Sequence, residues 1–363
     1  MIDHEPSPTM ESEKERQRAT TESRPPRQPD PAFYEQKDSM LLRLLPQELR
    51  LKIYAHLFSS KRLQWGVRKG NKALYPRTTP RQTLALVRTC RRVRDEIGDS
   101  WVGQIHFTFK TPEALLNVLT ALPVATLSKL RHVRVTTENL MTEPLPGGAG
   151  VGFYYLDGMF KLLPGLRLDT LTVQDTAAMF MQASYAILDE YISKSCGWKE
   201  LYYISCESRL LGFPIMKVIR HPQPAHWQRA MDARDGFETK LSVTIYRSTL
   251  CDVPGSVLDP NTRVVFEQDM SGDWIDGLPP GTEEDEALTK EGESGKEMMV
   301  AFKRGFGVDY EEKEGSPFVE RDIRRNAPGL TWQEIRRINM EAGLPHGDSS
   351  MHSRYKWESE EDD

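Results

Sequence analysis

Leu45-Pro46-Gln47-Glu48-Leu49-Arg50-Leu51-Lys52-Ile53-Tyr54-Ala55-His56-Leu57-Phe58 is the stretch from which the rest of the chain is best read. Pro46 falls where a first-turn proline is tolerated, because its missing N–H would have no intrahelical partner there. Glu48 adds negative charge near the positive end of the helix dipole. The spacing predicts a helix in which Leu49, Ile53 and Leu57 recur every four residues on one stripe. Leu42 and Leu45 extend that stripe backwards, while Arg50 and Lys52 fall on other faces. One apolar face of this helix therefore seeks a partner.

After a gap, Leu84-Ala85-Leu86-Val87-Arg88-Thr89-Cys90-Arg91-Arg92-Val93-Arg94-Asp95-Glu96-Ile97 sets Leu86, Cys90, Val93 and Ile97 at i, i+4, i+7 and i+11. Arg91 with Asp95 and Arg92 with Glu96 are opposite charges at i, i+4, so a second amphipathic helix is predicted. Together these two segments, over roughly residues 40 to 101, resemble the F-box, particularly the divergent F-box-like proteins of filamentous fungi.

Members of that family bind the small adaptor subunit of a cullin-RING ubiquitin ligase through the Leu-Pro helix and carry a substrate-reading region after it. The resemblance implies that Leu45, Pro46, Leu49, Ile53 and Leu57 face the adaptor. It also implies a non-catalytic receptor with an unidentified protein substrate as its second partner. The connection from Phe58 to Thr83 is longer than the link usual in the family and contains strand-like Leu63-Gln64-Trp65-Gly66-Val67. Residues 59–83 are accordingly expected as a loop inserted in a helical module spanning 39–101.

From 102 to 250 helix-like and strand-like pieces alternate. Ile105-His106-Phe107-Thr108-Phe109 reads as a strand, and Thr111-Pro112-Glu113 opens a helix with Leu115, Leu116 and Leu119 inward. Further strands are expected at 131–136, 168–173, 200–205 and 240–246, with helices at about 153–163, 177–195 and 227–233. Repeated helix-then-strand units suggest crossover connections and a mainly parallel sheet. The expected fold class is α+β, a small helical module followed by an irregular, leucine-rich-repeat-like α/β recognition domain. The repeat's asparagine ladder is missing.

Residues 1–38 are rich in Glu, Arg, Pro and Ser with almost nothing aliphatic to bury, and are expected to be a disordered tail. Past 251 the composition turns acidic and Gly-rich, so 251–363 is expected to be a mostly flexible appendage rather than core. One helix interrupts it at 331–342. Thr331-Trp332-Gln333-Glu334 is a capping box, Leu330 and Ile335 form a hydrophobic staple, and Gly343 then Pro345 end the helix. Its apolar face of Trp332, Ile335 and Ile338 either docks on the body or folds on a partner.

The chain has 363 residues and a formal net charge of −5, with no bulk basic field for nucleic acid. Arg81, Arg88, Arg91, Arg92 and Arg94 read as a solvated helix face, since no stacking aromatics interleave. The four cysteines form no C-x-x-C pair, residues 1–20 lack the apolar core of a signal peptide, and no apolar run is long enough for a bilayer. A reduced intracellular setting, cytoplasmic or nuclear, is expected, with no membrane partner.

Before Gly147-Gly148-Ala149-Gly150-Val151-Gly152 the preceding strand ends about ten residues earlier, Pro144 and Pro146 intervene, and no acidic ribose partner stands at the offset a dinucleotide loop needs. Gly292-Glu293-Ser294-Gly295-Lys296 has Glu297 where a Walker loop needs Ser or Thr. Neither a nucleophile elbow nor paired metal-ligand spacing occurs, so no cofactor, metal or catalytic residue is expected. The competing classes are an interaction scaffold unrelated to ubiquitin and an α/β enzyme whose site is assembled from loops.

Overall fold

The computed structural model describes residues 39–68, 71–77, 84–89, 91–138, 140–147, 150–175, 181–212, 221–268, 285–319 and 321–342. The expected tail at 1–38, Cys90, the helix stop at Gly343 and Pro345, and the closing acidic run lie outside them. The chain divides between Arg50 and Leu51 into two compact units.

In the first unit, helix α1 (Met40–Leu44) leads to helix α2 (Gln47–Ser59), within which the division falls. The Pro46 carbonyl accepts the Arg50 N–H at 3.2 Å, so Pro46 caps α2 rather than standing inside its first turn. Leu42 is buried here, and the buried Arg50 guanidinium donates to the carbonyls of Leu42, at 3.5 Å, and of Leu45.

The second unit contains, in chain order, β1 (Arg62–Arg68), β2 (Asn71–Arg77), α3 (Ala85–Thr89), α4 (Arg91–Ile97), β3 (His106–Phe109), α5 (Pro112–Leu119), α6 (Val124–Leu127), β4 (His132–Thr136), β5 (Leu140–Thr142) and β6 (Gly152–Tyr154). It continues with α7 (Leu156–Met159), β7 (Leu168–Asp175), α8 (Met181–Ser193), β8 (Trp198–Ser205), α9 (Arg209–Gly212) and α10 (Ala225–Asp235). The last elements are β9 (Ser242–Cys251), β10 (Arg263–Phe266), α11 (Glu286–Thr289), β11 (Lys296–Lys303), α12 (Ile323–Asn326) and α13 (Trp332–Glu341).

Among the described residues nine strands form one sheet in the order β10-β9-β11-β8-β7-β4-β3-β1-β2, and β5 pairs separately with β6. The neighbours β1, β3, β4, β7 and β8 are parallel and follow chain order, the arrangement that successive crossovers produce. The fold is thus mixed α+β around a large, mostly parallel sheet. Val133, Val135, Leu171, Val173, Leu201 and Tyr203 alternate onto one buried face, each contributing about 1.5–3 kcal/mol of transfer free energy. Helix α5 starts as its sequence dictates, with Pro112 in the first turn and Thr111 Oγ1 accepting the Ala114 N–H at 3.1 Å.

Three expectations change, and one alternative left open by the sequence is decided. Residues 59–83 are not merely a loop on the helical module, because β1 pairs parallel with β3 and β2 pairs antiparallel with β1. The segment from Leu86 to Ile97 holds two short helices, α3 and α4, on either side of Cys90. Val93 and Ile97 are buried there as expected.

The supposed acidic appendage contributes β11, which lies between β8 and β9 with Glu297 through Phe302 all buried. Its run Met298-Met299-Val300-Ala301-Phe302 suits a strand covered on both faces. Finally, α13 docks on the body. Trp332 and Ile335 are buried, Trp332 Nε1 donates to Asn117 Oδ1 at 2.8 Å, and Asn339 Oδ1 accepts the Glu143 N–H at 3.0 Å. Trp332 and Ile335 therefore do not offer an outward partner face, and Ile338 is half-buried. The capping box is formed as read, with Glu334 Oε2 accepting the Thr331 N–H at 2.7 Å.

Candidate functional site

Helix α2 carries two distinct sets of side chains. Arg50, Tyr54 and Phe58, at i, i+4 and i+8, are buried, and the Tyr54 hydroxyl donates to Glu96 Oε2 at 3.4 Å. Aromatic bulk at 54 and 58 gains more from burial than the aliphatic positions, so it takes the inward direction. The neighbouring stripe stays outside. Leu49 is 46 % exposed, Ile53 is 45 % exposed, and Leu51 is also exposed.

Of the other residues placed on this face by sequence, Pro46 is exposed, while Leu45 and Leu57 are half-buried. Lone exposed aliphatics are ordinary, but two large ones at i, i+4 on one helix make an apolar strip that the described residues leave exposed. Such a strip can seat in a complementary groove, the way amphipathic helices are commonly bound.

A second surface lies on the sheet opposite its apolar face. Register places His106, His132, Thr170 and Glu200 in one row and Thr108, Arg134, Thr172 and Tyr202 in the next. The His106 and His132 rings stack with centroids 5.0 Å apart. Burial holds both imidazoles below their ordinary value. For His106 the neighbouring His132 and Arg62 add to that effect; for His132, Asp169 partly opposes it.

Arg134 donates to Gln174 Oε1 at 3.1 Å. The Tyr202 hydroxyl donates to Glu200 Oε2 at 2.8 Å, and burial together with that carboxylate pushes the phenol up to about 12. In these rows His106 is exposed, Thr108 is buried and the other side chains are half-buried.

Two carboxyls sit deeper. Asp157 is pushed up to about 7 by burial, then by the Glu190 charge, and Glu138 is pushed to about 7 by burial. Neither was singled out from sequence, because desolvation depends on packing between distant segments.

The sequence motifs set aside for chemistry have structural roles. The Gly147 N–H donates to the Asn326 carbonyl at 2.9 Å, and a Cβ at Gly147 would stand 2.8 Å from the Arg325 carbonyl oxygen, so glycine permits a close backbone approach there. Gly148 and Ala149 lie outside the described residues. Lys296 Nζ pairs with Glu293 at 2.8 Å beside β11.

Among the described residues no three His, Cys, Asp or Glu side chains group to hold a metal, and no helix is long and apolar enough to cross a membrane. No protein family, no curated protein and no solved structure matches this chain.

Proposed function

We propose that this protein is a non-catalytic interaction adaptor, an F-box-like substrate receptor of a cullin-RING ubiquitin ligase. The observation that carries the proposal is the exposure of Leu49 and Ile53 on α2 while Arg50, Tyr54 and Phe58 of the same helix are buried. Leu45, Pro46, Leu49, Ile53 and Leu57 supply the adaptor contact, and the sheet-bearing body holds the target. The mechanism is proximity. A target held beside the ligase's ubiquitin-charged partner meets it at high effective concentration, with no catalytic group required from this chain.

The test is co-purification with the ligase's F-box-binding adaptor, using wild type and the Leu45→Ala/Pro46→Ala/Ile53→Ala variant, with folding checked by circular dichroism. Retention of the adaptor by wild type alone supports the proposal. Failure of the folded wild type to retain it leaves an interaction scaffold unrelated to ubiquitin.

A further inference from the structure

Strand β10 ends the nine-stranded sheet, and its sequence reads as its own antiparallel complement. The Thr249 N–H donates to the Thr262 carbonyl at 2.8 Å, which marks Thr262 and Thr249 as a hydrogen-bonded pair of the β9–β10 ladder. Because such pairs alternate, Val264 and Phe266 direct their backbone groups toward β9. Arg263 and Val265 direct theirs outward. Among the described residues neither backbone bonds to another segment. Glu267 follows the last ladder residue, and extending the strand by one step would turn its backbone outward too.

The opposite edge strand β2 contains Pro76, whereas β10 contains no proline or lysine, and Val264 and Val265 are 52 % and 62 % exposed. An open edge of this kind accepts a β-strand, and the residues specify which one.

Set antiparallel against itself about Val265, the sequence Arg263-Val264-Val265-Phe266-Glu267 places Arg263 opposite Glu267, Val264 opposite Phe266 and Val265 opposite Val265. The outward-pointing residues 263, 265 and 267 become the hydrogen-bonded pairs, giving about six backbone bonds. Arg263 and the exposed Glu267 lie on one side of the strand, so two symmetric ion pairs flank the central valines. In the single copy the Arg263 guanidinium lies over the Tyr246 ring of β9 at 4.4 Å and donates to the Val257 and Leu258 carbonyls at 3.4 and 3.5 Å, so the ion pair forms as the side chain turns from these long contacts to the carboxylate.

We propose that the protein forms a two-fold dimer by pairing β10 with β10 of a second copy, which makes one continuous sheet across both. So short a strand pair buries less than a standard interface, so the dimer is weak. It is independent of the adaptor contact on α2.

Sedimentation equilibrium of the full chain from about 1 to about 200 µM tests it. The expected mass rises with concentration from 41.6 kDa toward twice that value. Val265→Pro removes an N–H that is unbonded in the single copy, so it stays folded by circular dichroism and remains monomeric. Glu267→Arg sets like charges opposite each other and weakens the dimer at least tenfold, and Arg263→Glu/Glu267→Arg restores it. A wild type at 41.6 kDa throughout, or Val265→Pro dimerising like wild type, overturns the proposal. Failure of the charge exchange to restore the dimer overturns the pairing register.

Discussion

Glu312→Gln should destabilise the fold by about 3–5 kcal/mol. Lys161 Nζ lies 3.1 and 3.0 Å from the two carboxylate oxygens of Glu312, and the side chains are only 1 % and 0 % exposed. Lys161 also donates to Ser316 Oγ at 3.2 Å, and the Ser316 hydroxyl donates to Glu312, so the three groups satisfy one another. At 3 Å and an effective dielectric of about 20, the pair's attraction is roughly 5–6 kcal/mol, much of it offset by desolvation. Removing only the carboxylate leaves the ammonium buried without its counter-charge, which is the costly case.

Replacing both partners, as in Lys161→Met/Glu312→Leu, removes both desolvation penalties and should cost less than the two single changes added together. Urea unfolding at pH 7, with the m-value compared among variants, measures each corner of the cycle. Glu312→Gln within about 1 kcal/mol of wild type would refute the claim that residues near 312 fold as part of the core.

Three further outcomes are expected. Trp332→Ala should lose about 3–5 kcal/mol, Thr331→Ala about 1 kcal/mol through its cap, and exposed Arg337→Ala less than about 0.5 kcal/mol, all by thermal or urea unfolding. On α2, Phe58→Ala should cost about 3–5 kcal/mol, whereas Leu49→Ala and Ile53→Ala should each cost under about 1 kcal/mol and leave the circular dichroism spectrum unchanged. The folded-state pKa of Asp157 is raised to about 7 from 3.8, so its contribution is complete below pH 4 and is lost as pH rises toward and through 7. Asp157→Asn should flatten that part of the stability profile and make the protein more resistant to urea at pH 8 than wild type.

Local signals in the chain proved legible where a single segment determines the outcome. The Thr331 capping box, the Thr111-Pro112 helix start and the alternation of Val133 with Val135 each act within a few residues, and each forms as read. Strand β11 was missed because the acidic, glycine-rich composition around it outweighs its short apolar run. Its ladder partners in β8 and β9 are also remote in sequence.

On α2 the apolar stripe was recognisable, but its orientation was decided by Tyr54 and Phe58 packing inward and by carbonyl oxygens available to Arg50. A buried arginine satisfied by backbone oxygens has no signature in hydrophobic spacing. The stacked His106 and His132 and the outward backbone of Arg263 and Val265 follow from strand register, which single segments do not encode.

Hydrogen–deuterium exchange of the full chain with and without the ligase's F-box-binding adaptor tests the docking role of α2 most directly. Slower exchange across Gln47–Ser59 on adding the adaptor, abolished by Leu49→Asp/Ile53→Asp in a variant that remains folded, is the predicted result. Unchanged exchange over that helix at saturating adaptor would contradict it.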